Sequence, residues 1–106
     1  MSAVELDIGD RLRVRGVWAD AASVPVDPTK VEFYFKTPAG VETKYTYPNV
    51  IPADAALVRD GVGLYHVDLS LATAGTWWYR WDSTGNIQLA EERTFYVGPS
   101  RFTLTP

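Results

Sequence analysis

The stretch Gly75-Thr76-Trp77-Trp78-Tyr79-Arg80-Trp81, followed by Asp82-Ser83-Thr84-Gly85-Asn86 and then by Glu91-Glu92-Arg93-Thr94-Phe95-Tyr96-Val97, reads as one β-hairpin. Trp77, Tyr79 and Trp81 recur at every second position, which gathers them on one face of a strand and would scatter them around a helix. The break at Asp82 to Asn86 carries the Ser, Thr, Gly and Asn that turns use. Parity then sorts the aromatics. Trp77, Tyr79 and Trp81 belong to the core, and Trp78 with Arg80 faces the other way. Arg80 is placed to meet Glu92 across the hairpin, a surface ion pair worth about 0–1 kcal/mol.

Working outward, Leu12, Val14, Gly16 and Trp18 alternate with Arg11, Arg13, Arg15 and Val17, the pattern of a strand with one buried face. A loop from Asp20 to Thr29 follows, held extended by Pro25 and Pro28. Val31, Phe33 and Phe35 alternate with Lys30, Glu32, Tyr34 and Lys36 in a second strand. Thr37-Pro38-Ala39-Gly40 turns into a third, Val41 to Tyr47, and a loop from Lys36 to Gly40 pairs Phe35 with Val41 and Phe33 with Thr43, keeping Tyr45 on the apolar face. Ala56 to Arg59 is a short strand closed by Asp60-Gly61-Val62-Gly63. Leu64 to Leu71 is the next, with Tyr65, Val67 and Leu69 inward and His66, Asp68 and Ser70 outward. With the aromatic strand and a last one from about Ile87 to Val97, the count is about seven.

Seven short strands with no helical period predict an all-β fold, a single antiparallel sandwich of immunoglobulin or fibronectin type over residues 10–97, with an N-terminal arm at 1–9 and a C-terminal tail at 98–106. Ala74-Gly75-Thr76-Trp77 stands where such sandwiches carry a tyrosine corner. Trp77 replaces the tyrosine there, and Tyr79 falls near the position of the usual disulfide.

The chain has 106 residues, enough for one modest core, and no cysteine, so neither a disulfide nor a thiolate metal site is available. Ten Lys and Arg against thirteen Asp and Glu, mixed along the chain, give a charge of −3 and no basic stripe for nucleic acid. Arg11, Arg13 and Arg15 alternate on one strand face, but with Asp7, Asp10 and Asp20 around them they read as a solvated face. Residues 1–7 lack the basic start and apolar run of a secretory signal, and no stretch approaches a membrane span, so synthesis in a cytoplasm and no membrane partner are expected.

No enzyme is expected. His66, the single histidine, sits on a polar strand face and reads as surface; Ser70, Ser83 and Ser100 lack a nucleophile context; and no lobe faces the scattered carboxylates to form a cleft. Asp7, Asp10, Asp60 and Asp82 lack the spacing of a calcium loop and read as turn formers. No catalytic residue, cofactor or metal is therefore expected. The candidate interaction residues are the outward aromatics Trp78, Tyr34 and Tyr96, and the apolar side chains of the arms, Val4, Leu6 and Ile8 at one end and Phe102 and Leu104 at the other.

Several segments carry a resemblance: Asp27-Pro28-Thr29 before a Val-x-Phe strand, Pro38-Ala39-Gly40, Gly63-Leu64-Tyr65-His66-Val67-Asp68-Leu69, Gly75-Thr76-Trp77-Trp78-Tyr79-Arg80-Trp81 and Ala90-Glu91-Glu92. Over about residues 10–97 the chain resembles small immunoglobulin-like virion structural proteins of tailed bacteriophages and prophages. The resemblance implies a virion component, made in the host cytoplasm, that docks on capsid, connector or tail proteins and can form homo-oligomers. It carries no catalytic motif. It departs from the family at the doubled Trp77-Trp78, where a single aromatic is usual. A carbohydrate-binding module, stacking sugar rings on Trp78, Tyr34 or Tyr96, is the alternative from a different class.

Overall fold

The computed structural model describes residues 6–99. Eight strands follow in chain order: β1 (Leu6–Asp7), β2 (Arg11–Val17), β3 (Lys30–Lys36), β4 (Glu42–Tyr47), β5 (Leu57–Gly61), β6 (Leu64–Ser70), β7 (Gly75–Thr84) and β8 (Ala90–Gly98), with a 3-10 turn at Pro52–Ala56 before β5. They form two sheets, β1-β8-β7-β3-β4 and β2-β6-β5, packed face to face. All pairings are antiparallel except that of β1 with β8. The order is that of an immunoglobulin-like sandwich, with β2, β6 and β5 as B, E and D, and β8, β7, β3 and β4 as G, F, C and C′.

Alternation decides what lies between the sheets. Val14, Trp18, Val31, Phe33, Leu57, Tyr65, Val67, Leu69, Trp77, Trp81 and Val97 are buried there, with Phe35, Tyr45, Tyr79 and Phe95 packed at the margin. The aromatics interlock at angles that suit their quadrupoles: Trp18 meets Tyr65 and Trp81 edge-on at 5.3 and 5.5 Å, and Trp77 stacks between Phe35 and Phe95 at 6.3 and 5.9 Å. Trp77 also donates its indole N–H to the carbonyl of Thr73 at 2.9 Å, as the hydroxyl of a tyrosine corner does.

Three expectations need correction. The strand count is eight because Leu6–Asp7 pairs with Val97 and Gly98, inside what was read as an arm. The β3–β4 register is displaced by two residues, with Phe35 opposite Thr43 and Phe33 opposite Tyr45, because the loop is Thr37 to Val41, closed by Thr37 N–H on Val41 O at 3.0 Å. A shift of two preserves parity, so Tyr45 still faces inward. The last hairpin is longer on one arm and shorter on the other: β7 continues to Thr84 and β8 begins at Ala90, since Ser83 pairs with Leu89 through its backbone N–H at 2.9 Å.

Candidate functional site

The outer face of the five-stranded sheet holds the exposed aromatics. Cross-strand register puts Trp78 opposite Lys36 and Thr94, Arg80 opposite Tyr34 and Glu92, and Thr76 opposite Tyr96. Tyr34, Trp78 and Tyr96 are therefore diagonal neighbours on three successive strands. At about 7–8 Å per diagonal step they draw an oblique aromatic line some 15 Å long. Trp78 is 39% exposed and Tyr96 62%, while Tyr34 is half-buried.

A shallow groove of about 590 Å³ runs beside this line, walled by Tyr34, Lys36, Glu42, Trp78, Arg80 and Glu92. Arg80 lines it, donating from Nε to Asp82 Oδ1 at 2.9 Å and from a terminal nitrogen to Glu92 Oε1 at 3.5 Å. The expected Arg80–Glu92 contact is thus the longer of two, and Asp82 is what fixes the guanidinium and raises its pKa. Burial, with Glu32 nearby, raises the Tyr34 phenol above its usual range. The face therefore presents rings beside a paired Arg80, with Lys36 and Glu42 in no ion pair among the described residues. It suits stacking and flat contact, and it forms no cleft around a reactive group.

The remaining candidates fall elsewhere. Leu6 and Ile8, read as free for a neighbour, are half-buried against the domain's own core because β1 lies along β8. Val4, Phe102 and Leu104 lie outside the described residues. His66, read as an unpartnered surface residue, is only 7% exposed and its Nδ1 lies 2.6 Å from Asp60 Oδ2. Asp60 occupies a bulge in β5, where the register with β6 skips between Arg59 and Gly61, and the bulge brings its carboxylate over the imidazole. Ser83 is buried as a structural clasp, accepting from Trp18 Nε1 at 3.0 Å and from Leu89 N–H at 3.0 Å and donating to Ile87 O at 3.1 Å. Among the described residues, no three His, Asp or Glu side chains are placed to hold a metal, and no helix is long and apolar enough to cross a membrane.

Two polar hubs were not singled out from the sequence. Asp27 receives Arg59 Nε and a terminal guanidinium nitrogen at 3.2 and 2.7 Å, Gly63 N–H at 2.8 Å and Tyr65 O–H at 3.1 Å. Arg59, then the backbone N–H of Gly63, pulls the carboxyl down to about 2, and burial with the adjacent carboxylate pushes Tyr65 up to about 12. Asp54, buried, accepts the backbone N–H groups of Thr46, Val50 and Ile51 at 3.0, 2.8 and 3.0 Å, which lowers its pKa and holds Val50 and Ile51 out at a loop tip, 77% and 55% exposed. A second exposed aliphatic group stands on the outer face of the small sheet, where Val17 lies opposite Leu64, with Val62 at the adjoining turn. The only sequence signal for these was isolated apolar residues at odd parity, which single strands carry routinely. Comparison with protein-family models and with curated proteins gave no match.

Proposed function

We propose that the chain is a non-enzymatic structural component of a tailed-bacteriophage virion, an immunoglobulin-like domain that docks on the capsid or on the head–tail neck or tail, and that it is made in the host cytoplasm. The observation that carries the reading is the oblique line of Tyr34, Trp78 and Tyr96 across one flat sheet face. Exposed Trp and Tyr of this kind anchor protein interfaces, whereas the ion pairs around them set register more than affinity. The resemblance noted above, over most of the chain, supplies the virion context. Mass spectrometry of purified particles should find the chain, and Trp78→Ala together with Tyr96→Ala should reduce its copy number without unfolding it. Particles that lack the chain, in both mature and precursor form, refute the proposal.

A carbohydrate-binding role is the second reading. Glu42 and Glu92 beside Trp78 offer hydrogen-bond acceptors next to an aromatic platform, an arrangement that suits sugar hydroxyls and ring faces. Retention of a defined glycan on an array, lost on Trp78→Ala, would move the assignment there.

A further inference from the structure

The small sheet has three strands, β2-β6-β5, where the four-stranded immunoglobulin sheet carries a further strand beside B, so β2 is an open edge among the described residues. Which backbone groups it leaves free follows from the ladder. Trp18 N–H bonds to Gly63 O at 2.8 Å and Leu71 N–H to Asp10 O at 2.9 Å, so the even-numbered residues of β2 exchange hydrogen bonds with β6. In an antiparallel pair the intervening residues point theirs away. The N–H and C=O groups of Arg11, Arg13, Arg15 and Val17 therefore face outward along an edge of seven residues.

Two further features lie on this edge. The first is a dimple of about 40 Å³ at the mouth between the sheets, lined by Gly16, Val17, Trp18, Trp81, Leu89 and Glu91. Trp81 is 3% exposed, and its indole N–H is, among the described residues, the one buried side-chain polar group without a hydrogen-bond partner. Gly16 has no side chain here, and a Cβ would meet the Trp18 ring at 2.7 Å and Trp81 at 3.1 Å, so the two indoles floor the dimple directly beneath the glycine. The second is charge. Arg11, Arg13 and Arg15 stand on the outer side of the same edge, Arg11 and Arg13 share Asp68 at 3.5 and 2.8 Å, and no carboxylate of the described residues pairs with Arg15. Asp60 also acts on Arg13, so three guanidiniums stand against two carboxylates and the row keeps a net positive charge.

We propose that β2 accepts an added strand from a partner protein, an extended segment with acidic side chains at alternate positions and apolar ones between. Its backbone completes the ladder along Arg11 to Val17. Its carboxylates face the arginine row, as directly opposed side chains share a sheet face. One apolar side chain opposite Gly16 fills the dimple against Trp81 and Leu89, the mode in which main-chain bonds give affinity and alternate pockets give specificity. This edge is separate from the aromatic face, so the inference goes beyond the docking reading and fails or stands on its own.

The test uses the full chain with two synthetic eight-residue probes, one alternating Glu and Val and one alternating Lys and Val, read by amide hydrogen exchange and by titration. The Glu/Val probe should slow exchange of the Arg13, Arg15 and Val17 amides at least ten-fold and bind at least ten-fold more tightly than the Lys/Val probe. Methylating its alternate amide nitrogens should abolish binding, and Arg11→Glu with Arg15→Glu should invert the preference. Equal binding of both probes, or none, overturns the proposal. So does strong protection of these amides in the free chain, which assigns the edge to the chain's own residues, and protection that grows with protein concentration, which assigns it to a second copy.

Discussion

Replacing Trp77 by alanine tests the reading of the aromatic strand most directly. The side chain is 3% exposed, stacks on Phe35 and Phe95 and donates to Thr73 O. Removing a ring of this size from a packed core costs about 3–5 kcal/mol, transfer and cavity together. Its neighbour Trp78, 39% exposed on the opposite face, should cost under about 1 kcal/mol when truncated. With a urea slope of about 1.5 kcal/mol/M for a domain of this size, Trp77→Ala should lower the midpoint by about 2–3 M and Trp78→Ala by less than about 0.7 M. Because total stability is only about 5–15 kcal/mol, Trp77→Ala can fall near the unfolding threshold, and Trp77→Phe supplies the milder comparison. It keeps a stacked ring and loses the indole bond, so about 0.5–1.5 kcal/mol of its loss belongs to the corner hydrogen bond. Urea melts followed by circular dichroism decide the matter. Equal losses at Trp77 and Trp78, or a larger one at Trp78, would refute the face assignment.

Three further predictions rest on the polar hubs and on one glycine. Asp27 has a folded pKa of about 2, below the unfolded value of about 3.9, so its contribution is full well above pH 4 and is lost as pH falls from about 4 through 2; Asp27→Asn should lower stability at pH 7 and approach the unsubstituted chain only below about pH 2, and a carboxyl titration midpoint near 4 by NMR contradicts this. Ser83→Ala leaves the buried Trp18 N–H unpaired and should cost about 1–3 kcal/mol in a denaturant melt, with faster hydrogen exchange at Leu89; an unchanged Leu89 amide rules out the clasp. Gly63 has φ of +70°, and a Cβ there would lie 2.3 Å from Trp18 O, so Gly63→Ala should lose at least the 1–3 kcal/mol or so of backbone strain, and a thermal melt within 2 °C or so of the unsubstituted chain excludes that.

The period of two made the sandwich and its inner face legible, because alternation survives errors of register: the two-residue displacement of β3 against β4 left Phe33, Phe35 and Tyr45 on the predicted side. The corner at Trp77 was legible for the same reason, as a local pattern with a local bond. What escaped was long-range and polar. Asp27 and Tyr65 are 38 residues apart, and nothing near either indicates the other. His66 and Asp60 are close in sequence, yet their contact depends on a bulge that alternation cannot encode. Leu6 looked like part of an arm because two residues are too few to show a period, and only the placement of β8 makes them a strand. The aromatic line was half legible: parity named Tyr34, Trp78 and Tyr96 as outward, and the three-strand register was needed to align them.

The parallel pairing of β1 with β8 also sets an order of events during synthesis. Leu6 meets Val97, and 91 positions separate them, so at about 5–20 residues per second the first strand waits roughly 5–20 s for its partner to be translated. The three strands of the small sheet are complete by Ser70, and β3 and β4 by Tyr47, well before β8 exists. For that interval Leu6 lacks its ladder partner Val97, and the aromatic strand emerges before the one that flanks it. The nascent chain is therefore most adhesive just before its last strand leaves the ribosome, and a truncation at the start of Ala90–Gly98 leaves it in that condition permanently.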